Sequence, residues 1–149
     1  MSQFFEVDPD YKKYAAKALL PSRGTERSAG YDLSIPIDVH LKPRTFKLFF
    51  TDVKVELEDN LFLFVAIRSS VALKHQVTLM NNVGIIDADY FNNENNNGNI
   101  GLPLYNHSKD DFFWPAFQPI AQGIICEFFR TVDDKVVNPL RIGGFGSTS

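Results

Sequence analysis

The feature that most constrains the fold is a series of short apolar segments that recur at intervals of about ten residues. These segments are rich in β-branched and aromatic side chains, are separated by Asp, Asn, Gly and Pro, and occupy residues 31–41, 46–57, 61–67, 100–105 and 120–129. Residues 31–41 alternate apolar and polar side chains like a half-buried strand, which Pro36 confines to an edge or a bulge. Residues 11–20 and 71–77 each predict a short helical segment. The pattern predicts an all-β barrel or sandwich.

Composition excludes several classes of protein. The chain has 149 residues, enough for one domain with a substantial core, and its 14 phenylalanines supply much of the apolar volume. The net charge is −3 and no segment carries a basic stripe, so we expect no binding to DNA or RNA. The single cysteine, Cys126, lies in an apolar run, which indicates a buried strand residue and a reducing compartment. With no secretory signal and no apolar run near about eighteen residues, we expect a cytoplasmic protein without membrane contact.

Residues 84–90, GIIDADY, combine a strand with acidic and aromatic side chains. Two isoleucines lead directly into Asp87, Asp89 and Tyr90, and the Asn-rich residues 92–99 follow. A carboxylate at the end of a rigid strand can orient a water molecule or accept a proton. The same carboxylates could instead accept hydrogen bonds from turn N–H groups at a hairpin end. The composition of the Asn-rich segment predicts a surface loop that buries no apolar area.

Four further segments, with residues 84–90 third in chain order, make a pattern of five. The others are SAGYDL at 28–33, RSS at 68–70, IAQG at 120–123 and RIGGFGST at 141–148. In this register the chain resembles the trimeric dUTPases over most of its length. The resemblance implies a jelly-roll-like β-barrel, formed by residues 1–140 and assembled as a threefold homotrimer. Residues 141–149 would form a glycine-rich C-terminal arm that closes over a neighbouring subunit's site.

The implied activity is hydrolysis of dUTP to dUMP and pyrophosphate with Mg²⁺ as cofactor. That activity limits uracil incorporation into DNA and supplies dUMP for dTMP synthesis. By resemblance, Asp87 would hold the attacking water, and Tyr90 would pack under the deoxyribose, where a ribose 2′-hydroxyl would collide. Asn81 would read the uracil edge together with the backbone from Gly84 to Ile86. Taken alone, this asparagine is equally a turn-forming residue.

The resemblance assigns the phosphates and the metal to the other motifs. Arg68 would offer a fork of donors to phosphate oxygens, and Ser69, Ser70 and Gln122 would add hydroxyl, backbone and amide donors. Asp32 would hold Mg²⁺ indirectly, through water, which suits an ion that releases its waters reluctantly. Taken alone, Arg68 is equally an arginine at a solvated strand end, and Asp32 a polar edge-strand residue.

The arm would complete the substrate contacts. Arg141 would pair with the terminal phosphate and Phe145 would cover the base. Gly146, Ser147 and Thr148 would add further contacts, because glycine lets backbone N–H groups approach phosphates closely. Taken alone, a glycine-rich chain end indicates a disordered tail.

The chain departs from the family pattern at three places. Gln118 and Pro119 stand where the fourth motif usually carries a charged pair before its Ile-Ala-Gln. Phe91 replaces the polar or basic residue that often follows the tyrosine, and residues 92–97 lengthen the hairpin connection.

Two alternatives to a dUTPase stay open from the sequence. The first is a dCTP deaminase-like enzyme with the same barrel, which Asp87 and Tyr90 disfavour. The second is a dUTPase-fold protein that also binds a regulatory protein through the Asn-rich residues 92–99.

Overall fold

The computed structural model describes residues 1–138, 140, 141 and 143–146. These residues form a short α-helix, α1 (Ser69–His75), and two 3-10 turns, Pro9–Tyr11 and Ala88–Tyr90. The rest of the regular structure is β, with strands β1 (Gln3–Glu6), β2 (Ser22–Arg23), β3 (Tyr31–Leu33), β4 (Val39–Leu41), β5 (Phe46–Phe50), β6 (Val53–Glu56), β7 (Leu61–Ile67), β8 (Val77–Leu79), β9 (Gly84–Asp87), β10 (Gly101–Asn106), β11 (Phe112–Trp114) and β12 (Ala121–Glu127). The prediction of a mostly-β fold is confirmed.

The strands pair in four antiparallel sheets. The largest has five strands in the order β2-β3-β12-β7-β9, and a second has three in the order β5-β10-β8. β1 pairs with β6, and β11 pairs with β4. The near-continuous apolar run of β12 occupies the middle of the five-stranded sheet, where both of its edges are paired. Its cysteine, Cys126, is only half-buried.

A single apolar core joins the sheets. Its most deeply buried members come from several strands and their flanks, and include Leu33, Leu63, Leu79, Ile100, Leu102, Leu104 and Ile120. Among the described residues, no helix is long and apolar enough to cross a membrane.

Two of the predicted strands are each divided between two sheets. Residues 31–41 form β3 and β4, because the segment around Pro36 leaves the ladder where proline has no N–H to donate. Residues 46–57 form β5 and β6, separated at Asp52, whose φ is +56°. The buried carboxylate of Asp52 accepts hydrogen bonds from the N–H groups of Lys13 and Tyr14, at 2.8 and 3.0 Å, which stabilises the break.

The helical predictions were partly wrong. Residues 12–20 contain no helix. The only helical residue of the predicted segment is Tyr11, which ends the 3-10 turn Pro9–Tyr11. The backbone in this region is held instead by side chains, since Glu6 accepts hydrogen bonds from Lys12 and from the N–H of Ala18. The second predicted helical segment is present as α1, with Lys74 exposed on it as expected.

The Asn-rich residues 92–99 are not a simple surface loop. Asn93, Asn97 and Asn99 are buried, and so is Lys54 beneath them. The ammonium of Lys54 donates to the side-chain oxygens of Asn92 at 2.7 Å and Asn97 at 2.8 Å. The expectation failed because it counted only apolar burial, whereas amide side chains can be buried when their partners are buried with them.

Candidate active site

A pocket of about 190 Å³ lies beside β9 at the edge of the five-stranded sheet. Its lining brings together most of the residues predicted to contact uracil and deoxyribose, with apolar residues of neighbouring strands beneath them. The lining residues that had been predicted are Asn81, Gly84, Ile86, Asp87, Tyr90, Arg141 and Phe145.

Strand pairing and a tight turn place the acidic and aromatic residues at the pocket. β9 pairs with β7 so that Gly84 lies opposite Val65 and Asp87 lies opposite Phe62. The strand ends at Asp87, whose side chain is exposed, and the 3-10 turn that follows directs Tyr90 into the protein. Because β9 is hydrogen-bonded to β7 up to Asp87, the backbone that carries this carboxylate has a fixed position.

Asn81 lies in a turn and also lines the pocket. Its carbonyl accepts a hydrogen bond from the N–H of Val83 at 2.8 Å, and Asn82 has a φ of +66°. Its backbone is therefore part of a turn between β8 and β9, while the residue also lines the pocket.

The hydroxyl of Tyr90 is enclosed by the Asn-rich segment. It donates to the carbonyl of Asn99 at 2.7 Å and accepts from the side-chain amide of Asn96 at 2.7 Å. Burial raises the pKa of Tyr90 above its usual value, although the bond from Asn96 and the nearby charge of Arg141 act in the opposite direction. The ring is therefore a neutral wall of the pocket, fixed at its far end.

The guanidinium of Arg141 binds two carboxylates of the third motif. Its Nη2 donates to Oδ2 of Asp87 at 2.5 Å, and its Nε donates to Oδ1 of Asp89 at 2.6 Å. The Arg141 side chain is 13% exposed, and its Nη1 also donates to the carbonyl of Gly143 at 3.0 Å. The cation predicted to pair with the terminal phosphate therefore neutralises two carboxylates of its own chain.

The arm packs closely against the pocket at Gly144, where the absence of a side chain allows the backbone to approach Tyr90. A Cβ built on Gly144 would lie 2.6 Å from the Tyr90 ring, so a larger residue there would displace the arm or the ring. Phe145 lines the pocket but is 66% exposed. Gly146 has a φ of +98°, a conformation that glycine favours. The predicted contacts at Ser147 and Thr148 lie outside the described residues.

The predicted phosphate and metal residues form a second cluster. Asp32 lies opposite Gln122 in the β3–β12 ladder, and Nε of Arg68 lies 3.9 Å from Oδ1 of Asp32. The N–H of Arg68 donates to the carbonyl of Ile120 at 3.0 Å, and Ser69 and Ser70 begin α1 directly after it. None of the predicted residues of this cluster lines the pocket beside β9.

Within one chain Asp87 lies far from Arg68, although both flank β7. Asp87 is level with Phe62 near the start of β7, whereas Arg68 follows the end of that strand. Since a strand rises about 3.3 Å per residue, the positions of Phe62 and Arg68 are separated by roughly 20 Å. A single copy therefore keeps the carboxylate of Asp87 at one end of β7 and the predicted phosphate donor Arg68 at the other.

The carboxylates suit a metal that keeps most of its water. Among the residues that the structure describes, no group of three or more His, Cys, Asp or Glu side chains could enclose a metal ion. The carboxylate of Asp32 is 30% exposed and can reach solvent. Such a lone carboxylate fits Mg²⁺ held through water, with a substrate supplying the direct ligands.

Two residues of the site were not identified from the sequence. Asp89 was considered only as one of a pair of carboxylates, and its bond to Arg141 depends on where the arm lies. Asn96 stands in a run of asparagines whose composition indicated a loop, and nothing local distinguishes it from its neighbours. Its bond to Tyr90 could be found only from the folded chain.

Comparison with known proteins gives a consistent result. The family model described as dUTPase matches residues 16–148. The chain is 34% identical to the deoxyuridine 5′-triphosphate nucleotidohydrolase of Lactococcus lactis subsp. lactis (strain IL1403), over 97% of this chain and 95% of that one. The crystal structure of the dUTPase from Streptococcus mutans matches with a TM-score of 0.77 and 33% identity, over 88% of this chain and 98% of that one.

A more distant structure shares the fold. The dUTPase from phage phi11 of S. aureus, in a form that coordinates a structural Mg(II) ion, matches with a TM-score of 0.73 and 20% identity. The match covers 93% of this chain and 97% of that one.

Proposed function

The chain belongs to the dUTPase family and is a dUTP nucleotidohydrolase, and we propose that Asp87 positions the water that cleaves dUTP into dUMP and pyrophosphate. The observation that carries the assignment of Asp87 is the convergence of Asn81, Asp87 and Tyr90 on one pocket. We further propose that the activity is cytoplasmic, limits uracil incorporation into DNA and supplies dUMP for dTMP synthesis.

The proposed step is an attack of water on the α-phosphorus. The water oxygen forms a bond to this phosphorus, its proton passes to the carboxylate of Asp87, and the bond to the oxygen that bridges to the β-phosphorus breaks. Pyrophosphate leaves with that bridging oxygen. A positioned carboxylate of this kind contributes about 10²–10⁴-fold to the rate. Arg141 must release Asp87 for this role, and a triphosphate offers its guanidinium a more highly charged partner.

Selectivity for dUTP over other nucleotides would come from three parts of the same pocket. The amide of Asn81 and the backbone from Gly84 to Ile86 can pair with the donor and acceptor edge of uracil. A close approach of this backbone to the base would leave little room for a thymine methyl group. The buried ring of Tyr90 would exclude a ribose 2′-hydroxyl by collision.

The separation of Asp87 from Arg68 supports a site shared between copies. A triphosphate is far shorter than the roughly 20 Å of strand between Phe62 and Arg68. Arg68, Ser69, Ser70, Gln122 and Asp32 would therefore serve a pocket on a neighbouring copy, as in a threefold homotrimer of jelly-roll barrels.

The arm would be exchanged in the same assembly. In the single chain, Arg141 lies on its own third motif, and exchange would place equivalent contacts between neighbours. The apolar side chains of Phe46, Met80 and Ile85, each at least half exposed, lie around the pocket and supply surface that a neighbour would cover.

Mg²⁺ fits the second cluster, that of the predicted phosphate and metal residues, as a cofactor that Asp32 would hold through water. When bound, it would neutralise charge on the triphosphate oxygens. Arg68 would hold the same phosphates with a fork of donors, and Gln122, opposite Asp32 in the ladder, would add an amide donor.

The alternatives are less well supported. A deaminase needs neither the positioned Asp87 nor the sugar-excluding Tyr90 at this pocket. A regulatory protein partner stays a prediction, and in the Asn-rich loop it would meet the exposed side chains of Asn92, Glu94 and Asn95.

The test is pyrophosphate release from dUTP, dCTP, dTTP and UTP at equal concentration with Mg²⁺. We expect release from dUTP to exceed the others by orders of magnitude, and we expect the Asp87→Asn variant, purified in parallel, to show little. Ammonia release from dCTP would favour the deaminase. Similar rates on all four nucleotides would contradict the proposed recognition.

A further inference from the structure

We propose that Asn96 is a positioning residue for sugar discrimination: its side-chain amide holds the Tyr90 ring at the place where it excludes ribose. This inference rests on the proposed function, because it extends the role given there to Tyr90. The Asn-rich residues 92–99 then support one wall of the pocket, and Asn96 is the residue that contacts Tyr90.

The Tyr90 hydroxyl is held from two sides. It donates its proton to the carbonyl of Asn99 at 2.7 Å and accepts a proton from Nδ2 of Asn96 at 2.7 Å. Tyr90 is only 5% exposed, so water is a poor substitute for either partner. A ring fixed at its Cβ by the backbone and at its hydroxyl by two hydrogen bonds has little freedom to tilt.

The amide of Asn96 has one favourable orientation. Its Oδ1 accepts from Nδ2 of Asn93 at 2.7 Å and from the N–H of Gly98 at 3.1 Å. Exchanging the oxygen and nitrogen of this amide would place its NH₂ against two donors and leave the hydroxyl facing an oxygen. The neighbours of Asn96 therefore determine that it donates to Tyr90.

The segment that carries Asn96 is anchored to the barrel at both ends. Lys54 donates to the side-chain oxygens of Asn92 and Asn97, and Asn99 donates to the buried carboxylate of Asp52 at 2.8 Å. These contacts join residues 38 to 47 positions apart in the sequence. Because residues 92–99 are held by Lys54 and Asp52, Asn96 has little freedom to move and keeps the Tyr90 hydroxyl in place.

Exclusion of ribose by collision is more sensitive to the exact position of the Tyr90 ring than an attractive contact would be. A displacement of about 1 Å in an active site can change rates by about 10²-fold, so a partly released ring should change the sugar preference by about tenfold. The face of Tyr90 toward the arm has no spare room, because Gly144 already lies against the ring. A released ring would move away from the arm and open space beside the sugar.

The experiment measures kcat/KM for UTP relative to dUTP in the full-length protein. This ratio does not depend on the fraction of folded enzyme, so a loss of stability alone does not change it. The variants are Asn96→Ala, Tyr90→Phe and the two combined, with Glu94→Ala as the control from an exposed position of the same loop. We expect about a tenfold rise for Asn96→Ala, a rise for Tyr90→Phe, and no change for the control.

The combined variant decides whether Asn96 acts through the hydroxyl. If it does, the ratio for the combined variant equals that of Tyr90→Phe, because the hydroxyl is already absent. Two effects that multiply would overturn the proposal. So would an unchanged ratio in Asn96→Ala with a lowered Tm, which would make Asn96 purely structural.

The remaining outcomes are also informative. If Asn96→Ala does not fold, Tyr90→Phe alone must raise the ratio, since it removes one oxygen atom and keeps the ring; an unchanged ratio there would overturn the proposal. A wild-type enzyme without preference for dUTP over UTP would overturn the proposed role of Tyr90 and this inference with it. A selective wild type with unresponsive variants would overturn this inference alone.

Discussion

Arg141 binds Asp87, with Nη2 and Oδ2 2.5 Å apart, so the arm holds the carboxylate assigned to the attacking water. The same guanidinium bridges to Asp89 at 2.6 Å. Two carboxylates on one cation form a charge-assisted pair with fixed geometry, and the arm is thereby placed over the pocket. If Arg141 pairs with the triphosphate as proposed, binding of substrate and release of Asp87 are coupled, since both depend on where Arg141 lies.

Asp87→Asn should fold and bind dUTP but lose turnover by a factor of about 10² or more. Removing a carboxylate from a pocket that holds a triphosphate relieves repulsion, so binding need not weaken. Steady-state kcat and the Kd for dUTP are the measurements. Asp89→Asn is the matched control, because it also removes a partner of Arg141 but is not assigned to the water. A near-normal kcat in Asp87→Asn would show that the proposed mechanism is wrong.

Tyr90→Ala should raise the use of UTP relative to dUTP. The substitution removes the ring that would collide with a ribose 2′-hydroxyl and leaves Asn81, the residue proposed to contact uracil, in place. The kcat/KM values for the two nucleotides give the comparison. An unchanged ratio would exclude Tyr90 from sugar discrimination.

Asp32→Asn should raise the Mg²⁺ concentration needed for half-maximal activity. The amide can still hydrogen bond to water but no longer carries the charge that favours a cation. A magnesium titration at saturating dUTP measures the effect, and we expect the titration of Tyr90→Ala to resemble that of wild type. Identical titrations for Asp32→Asn and wild type would count against the assignment.

Mixed assemblies test whether the site is shared. Asp87→Asn and a chain truncated after Leu140 should each be nearly inactive, and refolding them together should restore activity. With random mixing at equal amounts, about three quarters of trimers are mixed and about one site in three works in each, so activity should reach about a quarter of wild type.

The complementation experiment separates an exchanged arm from an arm that serves its own chain. In the second case every site contains one defect and no mixture regains activity. Native mass spectrometry of differently tagged chains verifies that mixed trimers form. Mixed trimers without recovered activity would remove the proposal that the arm is exchanged.

Lys54→Met should lower the free energy of unfolding by about 3 kcal/mol. Lys54 is 6% exposed, and its loss removes the charged donor shared by the side-chain oxygens of Asn92, Asn97 and Asp8. Urea unfolding at equal protein concentration gives the value, with Lys74→Met on the exposed face of α1 as control. A change below about 0.5 kcal/mol, as expected for the control, would mean that the network adds little stability.

Several elements could be predicted because their causes are local. β7 is a continuous apolar segment and β12 a nearly continuous one, and their short length and β-branched and aromatic residues favour strands. The end of β9 at Asp87 follows from two isoleucines that meet a polar turn. The predicted residues that meet at the pocket come largely from the third motif and the arm, and the resemblance rather than periodicity identified them.

Other features depend on contacts between residues that are distant in the sequence. The division of residues 46–57 into two strands follows the burial of Asp52, whose partners include Asn99, 47 positions away. The burial of the Asn-rich segment depends on Lys54 in the same way, since amides remain in the interior only when their partners are present.

By itself, the sequence determined the strand-rich class of the fold and the residues that carry the family motifs, because side-chain alternation and motif spacing are properties of neighbouring positions. Only the tertiary structure decided that Asn96 holds Tyr90, that Arg141 lies on Asp87, and that one copy keeps Asp87 and Arg68 apart. The physical reason is register. The pairing of Asp87 with Phe62 places the carboxylate at one end of β7, and the continuation of that strand carries Arg68 to the other.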